Sequence, residues 1–120
     1  MSRNGNKYGA KKVHHKGLVF DSKIEYKRYQ QLKLMQSAGV ISELEYNKKN
    51  LRYIIHDAYT RQDGKRVAAL KYTPDFRYIE DGQLIIEDVK GKITTDFTIR
   101  RKLFEARYGI DVRIITKDDI

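Results

Sequence analysis

The dipeptide Asp81-Gly82 is the feature of this sequence that most restricts its fold. It stands between two runs of β-forming residues, and Asp-Gly is a strong signal for a two-residue hairpin turn because both residues can adopt positive φ. The second run, residues 84–90, begins with consecutive apolar residues, as a central strand does. The sequence therefore predicts two antiparallel strands that meet at residues 81 and 82.

This turn determines which side chains oppose each other across the hairpin. With the turn centred on residues 81 and 82, Asp75 pairs with Asp88. Directly opposed side chains share a face, with Cβ atoms about 5 Å apart, and the alternation of a strand places Lys90 on that face too. Two carboxylates so close repel each other unless a cation lies between them, and oxygen ligands suit a hard divalent ion such as Mg²⁺. The spacing therefore predicts an acidic metal-binding pair with a lysine beside it.

Asp88, and Glu25 earlier in the chain, also have purely structural interpretations. An acid two residues before a lysine occurs four times in the chain, although only the pair Asp88 and Lys90 ends an apolar strand behind a hairpin. A surface ion pair between Asp88 and Lys90 is the alternative. The stretch Ser22-Lys23-Ile24-Glu25 matches the capping box at a helix start, whereas a helix packed on the sheet could direct Glu25 at the aspartate pair.

The rest of the pattern predicts an α/β fold with a mixed sheet flanked by helices. In chain order we expect a hairpin at 13–20, a helix at 22–38, strands at 41–46, 51–55 and 67–79, a helix at 96–108 and a strand at 111–115. A helix between two strands usually makes a right-handed crossover between parallel neighbours. We expect one domain at 13–120, preceded by a basic arm at 1–12.

The charge of the chain favours a polyanionic partner. The 120 residues include 25 Lys and Arg against 16 Asp and Glu, a net charge of +9, and residues 1–50 hold 11 of the basic residues and only 4 of the acidic ones. A basic arm commonly grips phosphates, although a solvated N-terminus has the same composition. The absence of cysteine excludes a disulfide scaffold, a thiolate metal site and a cysteine nucleophile. No run is apolar enough for a membrane span or a secretory signal, so we expect a cytoplasmic protein without a membrane partner.

These motifs resemble those of the PD-(D/E)XK nuclease superfamily, which has a restriction-endonuclease-like fold with an αβββαβ core. The resemblance is carried by Phe20-Asp21-Ser22-Lys23-Ile24-Glu25, Tyr72-Thr73-Pro74-Asp75-Phe76 and Ile86-Glu87-Asp88-Val89-Lys90-Gly91, and it covers roughly residues 18–115. More narrowly, the chain is similar to small phage-encoded members described as endonucleases or as Holliday-junction-resolvase-like proteins. Its opening residues 7–12 also resemble theirs.

The resemblance implies a role for each matching residue. Asp75 and Asp88 would bind Mg²⁺, for which Mn²⁺ could substitute, together with the Val89 carbonyl. Lys90 would orient or activate the attacking water. Glu25 would be the helix-borne acid of the site and a further metal ligand, with or without its capping role. The implied activity is a Mg²⁺-dependent DNA endonuclease. By analogy it would act on branched or junction DNA in phage recombination or replication, in the cytoplasm of a bacterial host, and a homodimer would suit such two-stranded substrates.

The basic residues supply candidate DNA contacts, and two rival functions stay open. The candidates are Lys7, Lys11 and Lys12 in the arm and Arg100, Arg101 and Lys102 on the second helix. A solvated basic face explains the second group equally well. The first rival function is that of a nucleic-acid-binding accessory protein that does not cut DNA. The second is that of a nuclease subunit active only in a larger complex.

Overall fold

The protein is built on a four-stranded main sheet against which two helices pack. The computed structural model describes residues 11–120. In chain order its elements are β1 (Val13–His15), β2 (Leu18–Phe20), α1 (Lys23–Ser37), β3 (Ser42–Glu45), β4 (Tyr53–His56), β5 (Tyr59–Thr60), β6 (Arg66–Val67), β7 (Leu70–Tyr72), β8 (Phe76–Glu80), β9 (Gln83–Val89), α2 (Thr95–Tyr108) and β10 (Val112–Ile115). Short 3-10 helices lie at Lys48–Leu51 and Lys117–Asp119.

The main sheet is mixed, as the sequence predicted. Its strand order is β10-β9-β8-β3, in which β10 runs parallel to β9 and the other neighbours are antiparallel. The helix α2 connects the two parallel strands, which is the connection expected for a crossover. The predicted α/β class with a mixed sheet and two helices is therefore confirmed.

The β8–β9 hairpin has the predicted register. Phe76 pairs with Glu87 and Glu80 pairs with Gln83. Asp81 and Gly82 have φ values of 52° and 76°, and positive φ at both central residues is the requirement of a type I′ turn. The turn therefore sets the pairing from Glu80 and Gln83 to Phe76 and Glu87, and Asp75 and Asp88 stand next to the end of this ladder.

Each helix buries its apolar residues against a different face of the main sheet. The core on the α1 side consists of Phe20, Tyr29, Leu32, Ile41, Phe76 and Tyr78. The core on the α2 side consists of Ile55, Tyr72, Ile86, Phe97, Phe104 and Val112. The helix α2 begins after the Thr94 cap and ends at Gly109, whose φ of 69° is the left-handed conformation that closes helices. Because β9 is covered on both faces, its apolar residues are consecutive rather than alternating.

Two predicted strands differ from the structure. The run at 67–79 forms three short strands, of which β6 pairs with β5 and β7 pairs with β4, outside the main sheet. Pro74 accounts for the break before β8, because proline has no N–H to donate to a sheet. The strand expected at 51–55 begins only at Tyr53, after the 3-10 helix that ends at Leu51. The main sheet is therefore interrupted by an insertion between β3 and β8, and this insertion carries the first 3-10 helix.

The predicted N-terminal hairpin is confirmed. Val13 pairs with Phe20, and the turn residues Lys16 and Gly17 have φ values of 50° and 80°. Residues 1–10, which hold most of the predicted arm, lie outside the described residues. Within residues 11–120, no helix has the length and apolar character needed to cross a membrane.

Candidate active site

The structure brings Asp75 and Asp88 into contact at the end of the β8–β9 hairpin. The Asp75 N–H donates at 3.1 Å to the carbonyl of Glu87, the residue that Phe76 already pairs with, so the regular ladder ends at Phe76 and the chain is irregular at Asp75. The two carboxyl groups lie close enough for each to shift the pKa of the other. Both residues are buried, with 8% of Asp75 and 3% of Asp88 exposed. The juxtaposition predicted from the Asp81-Gly82 turn is therefore present.

The two aspartates have different ionisation, although the sequence treats them alike. Burial raises the pKa of Asp88 well above its usual value, and the charge of Asp75 raises it further. Burial would also raise the pKa of Asp75, but the charge of Lys48 and the hydrogen bonds from Lys48 and the Val89 N–H together lower that pKa. The Tyr72 hydroxyl donates to Asp88 Oδ2 at 2.6 Å. Asp75 is therefore the charged member of the pair, and Asp88 holds a proton to higher pH.

Glu25 contacts both the start of α1 and the aspartate site, although its side chain does not bond the Ser22 N–H as a capping box would. Its Oε1 accepts the Asp21 backbone N–H at 3.1 Å, while the Ser22 hydroxyl accepts the Glu25 N–H at 3.1 Å. These bonds cap the start of α1. Its Oε2 accepts from Lys48 Nζ at 3.1 Å, which joins Glu25 to the aspartate site. Burial, reinforced by the negative charge of Asp75, raises the pKa of Glu25 to about 7.

Lys48 is a site residue that the sequence did not reveal. It begins the first 3-10 helix, and its Nζ lies 2.6 Å from Asp75 Oδ1 as well as 3.1 Å from Glu25 Oε2. Burial would lower the pKa of Lys48, but the charges of Asp75 and Glu25 and the hydrogen bonds to both carboxylates together raise it. Nothing in the sequence distinguishes Lys48 from the exposed Lys49 beside it. Tyr72 was likewise missed as a partner of Asp88, although it lies in one of the segments that carry the resemblance.

Lys90 lies on the same side of β9 as Asp88, as the strand alternation predicts. Its Nζ is 3.7 Å from Asp88 Oδ1 and 4.3 Å from the centre of the Phe97 ring. The contact that the ion-pair alternative requires is thus present, but it borders a buried acidic pair rather than standing on an open surface. The Val89 N–H donates to Asp75 Oδ2 at 2.8 Å. A metal-binding role for the Val89 carbonyl stays a prediction.

Glu87 belongs to the opposite face of the main sheet. It is fully buried and accepts from Arg28 at 2.9 Å and 2.5 Å, and from the Tyr78 hydroxyl. This ion pair occupies both carboxylate oxygens. Glu87 is therefore a structural anchor between α1 and the sheet, and it shares no face with Lys90.

The predicted DNA-contacting residues fall into different environments. Lys11 and Lys102 are exposed, and Lys12 is exposed but pairs with Asp21 at 3.2 Å. Arg100 donates to Asp96 at 3.0 Å and to the Lys71 carbonyl, and the half-buried Arg101 has a buried Nε without a hydrogen-bond partner. Lys7 lies outside the described residues. The two arginines are thus less available to phosphate than their sequence position suggests, because α2 packs them against its neighbours.

The oxygen donors of the site are of the kind that a divalent cation binds, and an ammonium group joins two of the carboxylates. Within residues 11–120, no three histidine, cysteine or acidic side chains are gathered closely enough to hold a metal ion. Glu25 and Asp75 are instead joined through the ammonium of Lys48. A cation already lies between carboxylate oxygens, and oxygen donors of this kind are those that Mg²⁺ prefers. Asp75 and Asp88, with Glu25 across Lys48, are the residues that would hold the ion.

Comparison with known proteins identifies the family of the chain. No curated protein matches the sequence. A family model described as "Protein of unknown function (DUF1064)" matches residues 5–117, which include both helices, every strand of the main sheet and all the site residues above. The chain therefore belongs to the DUF1064 family.

Proposed function

We propose that this protein is a divalent-metal-dependent DNA endonuclease of the PD-(D/E)XK type. One observation carries the proposal: Asp75 and Asp88 meet at the end of the hairpin with Lys90 on the same side of β9 and with Glu25 reached through Lys48. Burial of several acidic groups with shifted pKa values in one place is costly, and such clusters are concentrated at functional sites. A structural ion pair alone would not need two contacting carboxyl groups.

The order of elements supports a restriction-endonuclease-like core. Along the chain, α1 is followed by three strands of the main sheet, β3, β8 and β9, and then by α2 and β10. This is the αβββαβ order, with an insertion between its first and second strands. The candidate residues lie on α1 and at the ends of the second and third strands, the positions expected for the superfamily motif.

Each residue of the site has a task that its contacts suggest. Asp75 and Asp88 would hold the metal ion, and Tyr72 orients the Asp88 carboxyl by donating to its Oδ2. Asp88 would give up its proton when the cation binds. Lys90, beside the other oxygen of Asp88, is placed to hold a water molecule or a phosphate oxygen. The bound ion would supply the positive charge that stabilises phosphodiester hydrolysis.

DNA is the partner that the charge favours. The net charge of +9 and the sequence pI near 9.7 attract a polyanion, and Lys11, Lys12 and Lys102 offer exposed ammonium groups. Branched or junction DNA, cut by a homodimer, is the substrate we propose by analogy. We propose in the same way that the enzyme requires Mg²⁺ and acts in the cytoplasm of a phage-infected bacterium.

A cleavage assay with matched variants tests this function. Linear, nicked, flapped and four-way DNA are incubated with wild type and with Mg²⁺, Mn²⁺ or EDTA. We expect cutting only with a divalent ion, and a loss of roughly 100-fold or more in Asp88→Asn. Asp111→Asn, at an exposed aspartate before β10, is the control and should cut like wild type. Full activity of Asp88→Asn would refute the proposal, whereas DNA binding without cutting would favour the accessory function.

A further inference from the structure

The ammonium group of Lys48 joins two buried carboxylates, and solvent can reach it. Its Nζ contacts Asp75 Oδ1 at 2.6 Å and Glu25 Oε2 at 3.1 Å. The side chains of Asp75 and Glu25 are 11% and 5% exposed, whereas that of Lys48 is 35% exposed. A bridge of this kind differs from an ordinary surface ion pair, because both acidic partners would lose their counter-charge if the lysine left.

Lys48 bonds the carboxylate oxygens of Asp75 and Glu25 that accept no backbone hydrogen bond. Asp75 Oδ2 accepts the Val89 N–H at 2.8 Å, and Glu25 Oε1 accepts the Asp21 N–H at 3.1 Å. In each carboxylate, one oxygen is thus committed to the backbone and the other to Lys48. A metal ion that binds either residue through its second oxygen must share that oxygen with the ammonium or displace it.

We propose that Lys48 is a positioning residue that competes with the divalent metal ion for Glu25 and Asp75. This inference rests on the proposed nuclease function. Without metal, the ammonium holds the two carboxylates together and neutralises part of their charge. A Mg²⁺ ion lies about 2.1 Å from its oxygen ligands, so an ion on Asp75 Oδ1 and an ammonium on the same oxygen repel each other strongly. Lys48 therefore orders the site before metal arrives and weakens the affinity for metal.

Calorimetric titration of Mn²⁺ into the full-length protein tests this role independently of DNA cleavage. The titration is run well above the Glu25 pKa of about 7, because removal of Lys48 raises that pKa further. Lys48→Met should bind Mn²⁺ about tenfold more tightly than wild type, because one competing positive charge is absent. Lys48→Arg retains the charge and should bind close to wild type. Lys49→Met, at the exposed neighbouring lysine, is the matched control and should show no change. Lys48→Gln keeps a donor for both carboxylates and replaces Lys48→Met if that variant does not fold.

The outcomes separate this inference from the proposed function. Equal or weaker Mn²⁺ binding by Lys48→Met and Lys48→Gln would overturn the competition, and so would an equal gain in Lys48→Arg. If wild type binds Mn²⁺ and Asp75→Asn does not, the proposed metal site survives such a result. If wild type and Asp75→Asn bind Mn²⁺ identically, or neither binds it, both the metal site and the competition are refuted.

Discussion

Asparagine substitutions at the two contacting aspartates should have unequal effects on stability in the absence of metal. Asp75 makes two charge-assisted hydrogen bonds, at 2.6 Å from Lys48 Nζ and at 2.8 Å from the Val89 N–H. Such bonds contribute about 1.5–3 kcal/mol each, against about 0.5–1.5 kcal/mol for neutral ones. Asp75→Asn should therefore lower the free energy of unfolding by about 2–4 kcal/mol. At about 4 °C per kcal/mol for a domain of this size, the Tm should fall by roughly 8–16 °C.

Asp88→Asn should leave the stability at neutral pH within about 0.5 kcal/mol of wild type. Burial and the Asp75 charge raise the pKa of Asp88, so the site already disfavours the charged form of Asp88, and an uncharged amide there can still accept from the Tyr72 hydroxyl. A carboxyl with a raised folded-state pKa stabilises the fold below its unfolded-state pKa, and this stabilisation is lost as pH rises through the folded-state value. The stability of Asp88→Asn should therefore rise relative to that of wild type as pH increases.

Thermal and urea unfolding with EDTA, from acid to mildly alkaline pH, measures both effects. The control is Asp111→Asn, which removes an exposed carboxylate and should follow wild type at every pH. Equal losses of stability in Asp75→Asn and Asp88→Asn would refute the assignment of charge to Asp75 and of a proton to Asp88. If the stability of wild type instead rises relative to that of Asp88→Asn with increasing pH, the sign of the Asp88 pKa shift is refuted.

Three further predictions address other parts of the molecule. Burial raises the Glu25 pKa from 4.5 to about 7. As pH rises from 4.5 to 7, the free energy of unfolding of wild type should therefore fall by about 3 kcal/mol relative to that of Glu25→Gln in urea unfolding. A difference that stays constant over this range would contradict the shift. Arg28→Met leaves the buried Glu87 unpaired and should cost about 3–5 kcal/mol in urea unfolding, without altering Mn²⁺ affinity in calorimetry; a small loss would mean that Glu87 is protonated or hydrated. Deletion of residues 1–12 should weaken DNA binding to all sequences and flatten its salt dependence in fluorescence anisotropy; an unchanged slope would exclude phosphate contacts by the arm.

Local chemistry made the hairpin and its acidic pair predictable. Asp81 and Gly82 can both adopt positive φ, which selects the turn and with it the register of β8 and β9. Since strand side chains alternate, the position of Lys90 beside Asp88 followed from counting residues. The start of α1 and the end of α2 were predictable for the same reason, because Ser22 and Gly109 cap the helices through bonds within one turn of chain.

The insertion between β3 and β8 could not be read correctly from propensity alone. Residues 67–79 are rich in β-formers, and strand propensity does not say which partner a strand will find. Tertiary packing instead pairs β7 with β4, away from the main sheet. The first 3-10 helix is equally unmarked, because its sequence Lys48–Leu51 has the composition of a polar loop.

The sequence by itself determined that Asp75 and Asp88 come together at the end of the β8–β9 hairpin, and only the tertiary structure decided how that pair is charged. The pairing depends on a two-residue turn, whereas the charge depends on Lys48, which is 27 residues away from Asp75 along the chain. Tyr72 acts on Asp88 across 16 residues in the same way. Electrostatic energies depend on distance and burial in space. The protonation of the site therefore appears only when the insertion folds back and places the ammonium between Glu25 and Asp75.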